Sequence, residues 1–238
     1  MACASSFPVT THGAIGVKIV DNVFLIPGIM ANPYLIAEKD GLPLIDTGLP
    51  GSHKMILSYI ARLGKTPRDL KRIILTHSDL DHVGGLGALH KASGARTFAS
   101  QIEAQAIALG RSSKALSSGR RSSLVRRIFT IIIRSKPLVV DEIVEDGQVL
   151  PVLGGLHVLD TAGHSPGHIS LFAPSSSVLF CGDAMVGTGE GLRGSRPQMT
   201  WNAEIAAEAV KRQAALSPRI VCPGHGPVVI DAAHKFPK

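Results

Sequence analysis

The sequence predicts a fold of the α+β class, in which two β-rich halves each end in a helix. Short apolar runs bounded by Gly, Pro, Asn or Asp recur along the chain and are typical of strands. Amphipathic stretches follow these runs in both halves and predict helices. The chain has 238 residues, 45% of them apolar, so it can bury a large core. No clear linker separates the halves, which indicates one domain.

For the first half of the chain, the sequence predicts paired strands followed by helices. The apolar runs lie in "GVKIVDNVFLI" and "YLIAEKDGLPLIDTG", and the Lys39-Asp40-Gly41 turn makes the second a hairpin. "SHKMILSYIARLG" predicts a helix with Ser52 as its N-cap and Gly64 as its stop. The strand "RIIL", a short helix toward His90, the strand "ARTFAS" and the helix "QIEAQAIAL" complete this half.

For the second half of the chain, the sequence again predicts strands followed by a helix. Its strands are "LHVLDT", "HISLFA" and "SVLFCGD", and a helix follows near "AEIAAEAVKRQAAL". The strand "RIVCPGHG" comes last.

Residues 110 to 136 interrupt this pattern. "RSSKALSSGR" is turn-like, and a basic amphipathic helix is predicted after it. One face carries Arg120, Ser123, Arg127, Thr130 and Arg134, and the remainder carries Leu124, Val125, Ile128, Phe129 and Ile132. This spacing fits a surface helix packed on the core, a lid over an active site, a dimer contact or a membrane-surface helix.

The formal net charge of +7 comes from one segment of the chain. Eight basic residues and no acidic residue lie between residues 104 and 140, so the rest of the chain is close to neutral. A general nucleic-acid-binding protein would spread its positive charge more widely, so we expect no nucleic-acid partner.

The three cysteines are too few and too scattered for a disulfide framework. The first ten residues lack the pattern of a secretory signal, and no apolar run approaches the roughly 20 residues that span a bilayer. We therefore expect a cytoplasmic protein without stable membrane insertion.

Histidine and aspartate residues recur where predicted strands end. They follow four different strands, and side chains at strand ends can converge on one edge of a sheet. Imidazole and carboxylate groups are ligands for zinc, iron and manganese. The candidate ligands are His77, Asp79, Asp81 and His82 in "THSDLDHVGG", His164 in "TAGHSPGH", Asp183 in "FCGDAM" and His225 in "CPGHGP".

The ordered series "LIDTG", "THSDLDHVGG", "TAGHSPGH", "CGDA" and "PGHGP" resembles the metallo-β-lactamase superfamily, especially its glyoxalase II-like and lactonase-like branches. The resemblance runs from about residue 18 to residue 230. It implies an αββα sandwich of two mixed β-sheets flanked by helices, formed by residues 1–238 as one domain. It also implies a dinuclear metal site at one edge of the sandwich.

The resemblance assigns a role to each candidate. His77 and His164 would hold the first ion, with Asp79 in place of the second His of the family motif HxHxDH. The second ion would be held by Asp81, His82 and His225, and Asp183 would bridge the pair. Asp46 would support a ligand imidazole from behind. His168 matches a structural imidazole and is left out of the ligand set.

The implied activity is metal-dependent hydrolysis. A hydroxide held by two divalent ions, zinc first and iron or manganese as alternatives, would open a carboxylic ester, lactone, thioester or β-lactam of a small-molecule substrate. Asp81 and Asp183 would be catalytic, and Leu124, Ile128 and Phe129 would form a substrate lid. Val186 stands where lactonases for acyl-homoserine lactones typically carry tyrosine, which weakens that analogy.

Two other functions stay open. Asp79 matches the position of a carboxylate in diiron oxygen and nitric oxide reductases, although the chain has no flavin domain. A non-catalytic binding module on the same fold is the other alternative. Whether the protein forms a homodimer is also left open.

Overall fold

A computed structural model describes residues 16–117 and 135–237, and within these ranges the strands form two mixed sheets of seven strands each. The predicted basic helix falls largely on residues 118–134, outside the described ranges. The proposed lid residues Leu124, Ile128 and Phe129 lie there too, so the lid stays a prediction.

The first sheet has the strand order β1-β2-β3-β4-β5-β6-β7. Its first four strands pair antiparallel, and β4 to β7 pair parallel. Parallel pairing of β4, β5 and β6 brings their carboxyl ends to the same edge of the sheet. The strands are β1 Val17–Val20, β2 Val23–Leu25, β3 Tyr34–Ile36, β4 Leu42–Ile45, β5 Leu70–Ile74, β6 Arg96–Ala99 and β7 Glu142–Ile143.

The second sheet has the order β14-β13-β11-β10-β9-β8, with β12 paired to β11. Only the β11–β13 pair is parallel among the strand pairs of this sheet in the described ranges. The strands are β8 Val149–Leu150, β9 Leu156–Asp160, β10 Ile169–Ala173, β11 Val178–Thr188, β12 Gly191–Gly194, β13 Ile220–His225 and β14 Val229–Ile230.

Helices cover the outer faces of both sheets. The described α-helices are α1 His53–Arg62, α2 Leu80–Val83, α3 Leu86–Ser93, α4 Gln101–Ala108, α5 Ser113–Ser117 and α6 Ala203–Ala215. Short 3-10 turns occur at Pro67–Asp69, Pro197–Met199 and Ala232–His234.

Three apolar clusters define four layers. Alternate residues of a strand point to opposite faces, so Ile74 of β5 packs between the sheets while Ile73 packs against the helices beneath. In the second sheet, Phe180 likewise faces the inner core and Leu179 the outer cluster that contains Val210 of α6. The arrangement is the αββα sandwich that the resemblance implied.

Tyr34 joins the two sheets close to the candidate site. Its ring meets the Phe180 ring edge-on, with centroids 5.4 Å apart. Its buried hydroxyl donates to the Pro223 carbonyl oxygen at 2.7 Å. Because a buried hydroxyl without a partner is costly, this bond fixes β13 against the first sheet.

Ser52 is the N-cap residue of α1, as predicted, although its side chain makes no capping hydrogen bond. Two other local predictions needed correction. The stretch predicted as turn-like contains the helix α5, whose Ser113 is buried. Asp183 lies inside β11, next to an irregular register at Gly182, rather than after the strand.

In the described part of the chain, no helix combines the length and apolar character needed to cross a bilayer.

Candidate metal centre

The candidate residues lie together at one edge of the sandwich. The loop after β5 and the start of α2 supply His77, Asp79, Asp81 and His82. The loop between β9 and β10 supplies His164. The second sheet supplies the remaining residues, Asp183 from within β11 and His225 from the end of β13.

Hydrogen bonds behind the site fix the tautomers of two buried imidazoles. The Asp46 carboxylate accepts from the Thr76 hydroxyl at 2.8 Å, so that hydroxyl accepts in turn from His77 Nδ1 at 3.0 Å. The other imidazole, His82, donates from Nδ1 to Asp46 Oδ2 at 2.8 Å. The Nε2 atoms of both rings therefore face the site, as a metal-ligand imidazole requires.

Asp46 holds this position in an uncommon backbone conformation. Its φ is +58°, in the left-handed region that aspartate tolerates better than most residues. Its Oδ1 also accepts the Thr76 backbone N–H at 2.9 Å. The supporting role predicted for Asp46 requires a contact of this kind with a ligand imidazole, here that of His82.

Three buried polar atoms at this edge have no hydrogen-bond partner within the described ranges: His77 Nε2, His82 Nε2 and Asp183 Oδ1. Leaving buried polar atoms unsatisfied is costly, so native proteins seldom do so without a bound ion or water. Their convergence indicates that a cation belongs between them.

The first cluster consists of His77, Asp79 and His164. Asp79 Oδ2 lies 3.5 Å from His77 Nε2 and 3.3 Å from His164 Nε2. Bonds of about 2.0–2.1 Å in a tetrahedral zinc site place ligand atoms about 3.3–3.4 Å apart. Both distances from Asp79 Oδ2 are therefore close to the spacing of ligand atoms in a metal site.

The second cluster consists of Asp81, His82 and His225. His225 Nε2 lies 3.1 Å from Asp81 Oδ2, and His82 Nε2 lies 4.0 Å from the same oxygen. Asp81 is partly exposed, whereas His82 is buried, so the cluster opens toward solvent on the Asp81 side.

Asp183 lies between the clusters. Its Oδ1 is 3.3 Å from His82 Nε2, while its Oδ2 is 3.5 Å from His164 Nε2 and 3.4 Å from His225 Nε2. A Cβ on Gly224 would collide with Asp183 Oδ1 and come within 2.8 Å of the His82 ring, so only glycine permits this approach. The carboxylate can therefore contact both halves of the site.

The acids and imidazoles shift one another's protonation. Burial would lower the pKa of His82, but the negative charges of Asp183 and Asp46 raise it well above the usual range. Hydrogen bonds to Asp183 and Asp81 raise the pKa of His225 to about 10. In the metal-free protein the acids therefore draw protons onto these imidazoles, and a bound cation would replace those protons.

The carboxylates are ionised at neutral pH. Burial would raise the pKa of Asp183, but the His82 charge and the close approach of the His225 and His82 rings hold it well below the usual range. The pKa of Asp81 is likewise lowered, because the His225 hydrogen bond and the His82 charge outweigh burial.

His168 is buried beside the site but does not present a free nitrogen to it. Its Nε2 accepts the Asp183 backbone N–H at 3.0 Å, and its Nδ1 contacts the Thr161 hydroxyl at 2.8 Å. Burial lowers its pKa well below the usual range, and the neighbouring His77 and His164 rings add to this effect. His168 thus fixes the backbone of Asp183, which agrees with its omission from the predicted ligands.

Glu103 is a buried residue of the site region that the sequence analysis missed. Its Oε2 accepts from the Ser78 N–H at 2.9 Å and the Ser78 hydroxyl at 2.5 Å. Its Oε1 accepts from the Ser113 hydroxyl at 2.8 Å, the Ser165 hydroxyl at 2.6 Å and the Gly167 N–H at 3.0 Å. The carboxylate therefore ties the two ligand loops and α5 together.

The sequence carried a signal for Glu103. In the predicted helix "QIEAQAIAL" it shares a face with Ala106 and Ile107, both buried. An acid at an apolar position of an amphipathic helix indicates a buried polar contact.

Two further polar residues were also missed. Ser195 lies 2.7 Å from His164 Nδ1. Lys114, counted in the basic segment, points inward and pairs with Asp79 Oδ2, and its Nζ lies 3.0 Å from His164 Nε2. Since an ammonium only donates, His164 Nε2 accepts this bond and its Nδ1 donates to Ser195. Burial lowers the pKa of His164, consistent with a neutral ring.

The buried cysteines offer no alternative nucleophile. Cys181 and Cys222 are both fully buried, and burial raises the pKa of each thiol. Because the thiolate is the reactive form, neither residue suits covalent catalysis.

Comparison with known proteins agrees with this geometry. The family model of the metallo-β-lactamase superfamily matches residues 26–225. The probable metallo-hydrolase YflN of Bacillus subtilis (strain 168) is 29% identical over 214 residues, covering 83% of this chain and 81% of the relative. The N-acyl homoserine lactonase of Bacillus thuringiensis is 29% identical over 222 residues, covering 80% and 79%.

Solved structures give the same result. A metallo-β-lactamase family protein of Thermus thermophilus superimposes with a TM-score of 0.69 at 25% identity, covering 91% of this chain and 77% of that one. A metallo-β-lactamase of Cronobacter sakazakii described by its HARLDQ motif also gives a TM-score of 0.69, at 26% identity, covering 90% and 80%.

Proposed function

Because the chain belongs to the metallo-β-lactamase superfamily, we propose that it is a metal-dependent hydrolase of acyl compounds, either carboxylic esters, lactones, thioesters or β-lactams. The observation that carries the proposal is the convergence of His77 Nε2, His82 Nε2 and Asp183 Oδ1, buried and without hydrogen-bond partners in the described ranges. The donor set of imidazoles and carboxylates suits zinc best, with iron and manganese as alternatives.

The residues that would hold the metal are those of the two clusters. His77, Asp79 and His164 would serve the first half, and Asp81, His82 and His225 the second. The remaining residue, Asp183, would serve both halves. A divalent ion bound there supplies a Lewis acid and lowers the pKa of water from 15.7 toward about 7.

The surrounding residues keep these ligands in place. Asp46 holds the His82 ring through Nδ1, and Thr76 holds the His77 ring in the same way. His168 holds the backbone of Asp183. Such contacts behind the ligands fix ring orientation and raise the basicity of the ligand nitrogen.

Asp81 is the best placed residue to move a proton. Its side chain is more exposed than that of Asp183, so substrate and water can reach it. Its lowered pKa leaves it ionised at neutral pH, so it holds a proton only briefly. We propose that the Asp81 carboxylate accepts a proton from the attacking water and passes it to the leaving group.

The acyl class of substrate is supported by the relatives' names, which include lactonase and metallo-hydrolase. Val186 lies in β11 three residues beyond Asp183, so no tyrosine is available at that position. Both tyrosines of the chain, Tyr34 and Tyr59, are buried in the core. A close copy of the homoserine lactonase site is therefore not proposed.

The test is a hydrolysis panel of lactones, thioesters, β-lactams and phosphodiesters, run beside elemental analysis of the same samples. We expect Asp183→Asn to lose bound metal and nearly all hydrolysis while its circular dichroism stays that of the wild type. Asp21→Asn is the matched control, since the Asp21 side chain is 92% exposed and pairs with Lys18 at the surface. Full metal content and normal turnover in Asp183→Asn would overturn the proposal.

A further inference from the structure

The ammonium of Lys114 lies within the first metal cluster. It pairs with Asp79 Oδ2, and it lies 3.0 Å from His164 Nε2 and 3.1 Å from the Met199 carbonyl oxygen. Asp79 Oδ2 and His164 Nε2 are two of the three atoms that would coordinate an ion there. Lys114 therefore uses the same atoms that a first metal ion needs.

The chain holds Lys114 in this position through its two preceding residues. The Ser112 hydroxyl donates to Asp79 Oδ1 at 2.6 Å. Ser113 donates its backbone N–H to the Ser78 hydroxyl at 2.8 Å and its own hydroxyl to Glu103. Ser112 and Lys114 together engage both oxygens of Asp79, so the contact is built into the start of α5 rather than made by a surface lysine.

A metal ion and this ammonium would repel each other strongly. An ion bonded to His164 Nε2 at about 2.0–2.1 Å would lie no more than about 5 Å from Lys114 Nζ, given the 3.0 Å contact. The Lys114 side chain is only 14% exposed, so solvent screens such a pair poorly. The single negative charge of the first cluster, that of Asp79, is already neutralised by Lys114.

The second cluster has no such competitor among the described basic contacts. Asp81, His82, Asp183 and His225 contact one another, whereas Lys114 contacts Asp79 and His164. A divalent ion can therefore enter this half without displacing a lysine.

We propose that Lys114 takes the place of the first metal ion, so that the protein holds one divalent ion per chain, bound by Asp81, His82, Asp183 and His225. This inference rests on the proposed function, because it concerns the same metal site. Asp79 then acts as the partner of Lys114 rather than as a metal ligand.

The test is a count of bound ions rather than an activity. Metal-free protein is dialysed against buffered zinc and analysed for zinc per chain, and a parallel sample is loaded with manganese and examined by electron paramagnetic resonance. We expect one zinc per wild-type chain and the six-line spectrum of an isolated manganese ion. Lys114→Met, which keeps the stem but removes the charge, should bind two zinc ions and show a coupled manganese pair.

Two variants serve as controls. Lys114→Arg keeps the positive charge and should stay at one ion per chain. Lys211→Met removes a lysine whose side chain is 71% exposed and pairs with Glu208, and it should match the wild type.

Two zinc ions per wild-type chain would overturn the inference, and so would one ion in a folded Lys114→Met. If Lys114→Met fails to fold, the wild-type count and Lys114→Arg still decide the question. Two ions with hydrolysis intact would leave the proposed function standing, whereas no bound metal and no hydrolysis would overturn both.

Discussion

Replacing Glu103 by glutamine should destabilise the protein and loosen its metal site. The carboxylate accepts five hydrogen bonds from four residues of three separate segments. If the amide oxygen takes the Oε1 position, the amide nitrogen faces the buried Ser78 N–H, and both groups are donors. One buried donor then loses its partner, and the remaining hydrogen bonds are made to a neutral acceptor instead of a charged one.

The expected cost follows from these bonds. A hydrogen bond to a charged group contributes about 1.5–3 kcal/mol, and an unsatisfied buried donor costs about 1–3 kcal/mol, so we expect about 3 kcal/mol or more. For a chain of this size, 1 kcal/mol shifts Tm by about 2–4 °C, so Tm should fall by roughly 6–12 °C. That loss leaves a typical domain folded.

Tm and zinc affinity are measured on the same samples, because Ser78 lies between the candidate ligands His77 and Asp79. Glu103→Gln should lower both Tm and zinc affinity, whereas substitution of a residue that only supports the core would lower Tm alone. Glu208→Gln is the control, since that side chain is 68% exposed on α6, and its effect should stay within about 0.5 kcal/mol. A Glu103→Gln protein as stable as this control would refute the reasoning.

Three further predictions address the site. Asp79→His removes the carboxylate that pairs with Lys114 and puts an imidazole in the first cluster, so bound zinc should rise above one ion per chain. Zinc that stays at one ion per chain in this variant would contradict the role given to Asp79. Phe129→Ala should change KM and acyl-chain preference more than metal binding if residues 118–134 include a lid; a lower Tm with unchanged preference would favour a helix that only covers the core. Metal binding near pH 7 should release protons, because the pKa of His225 is raised to about 10 in the metal-free protein. Metal affinity should therefore rise with pH up to about 10, and calorimetry in two buffers of different ionisation enthalpy should give different heats; equal heats would contradict this.

The sequence predicted the elements that local chemistry controls. The turn at Lys39-Asp40-Gly41 joins β3 and β4 as expected, and Gly64 ends the first helical segment with a φ of +70°. The short strands β7, β8 and β14 have only two residues each, too few for an alternation pattern, so they were missed.

The candidate ligands could be named from the sequence because most of them sit in short motifs at strand ends, although Asp183 lies inside β11. The residues around them could not, because their roles depend on side-chain direction in the folded chain. Lys114 looked like one more charge in a basic segment, yet the serines before it turn it toward Asp79. Ser195 is remote in sequence from His164 and reaches it only because β12 pairs with β11.

Returning zinc stepwise to chelator-treated protein, with bound zinc and hydrolysis measured on each sample, tests the central claim most directly. Hydrolysis should be absent without metal, rise in proportion to bound zinc and reach its maximum at one ion per chain. Full hydrolysis by the metal-free protein, or zinc binding that leaves hydrolysis at zero across the substrate panel, would contradict the assignment of a metal-dependent hydrolase.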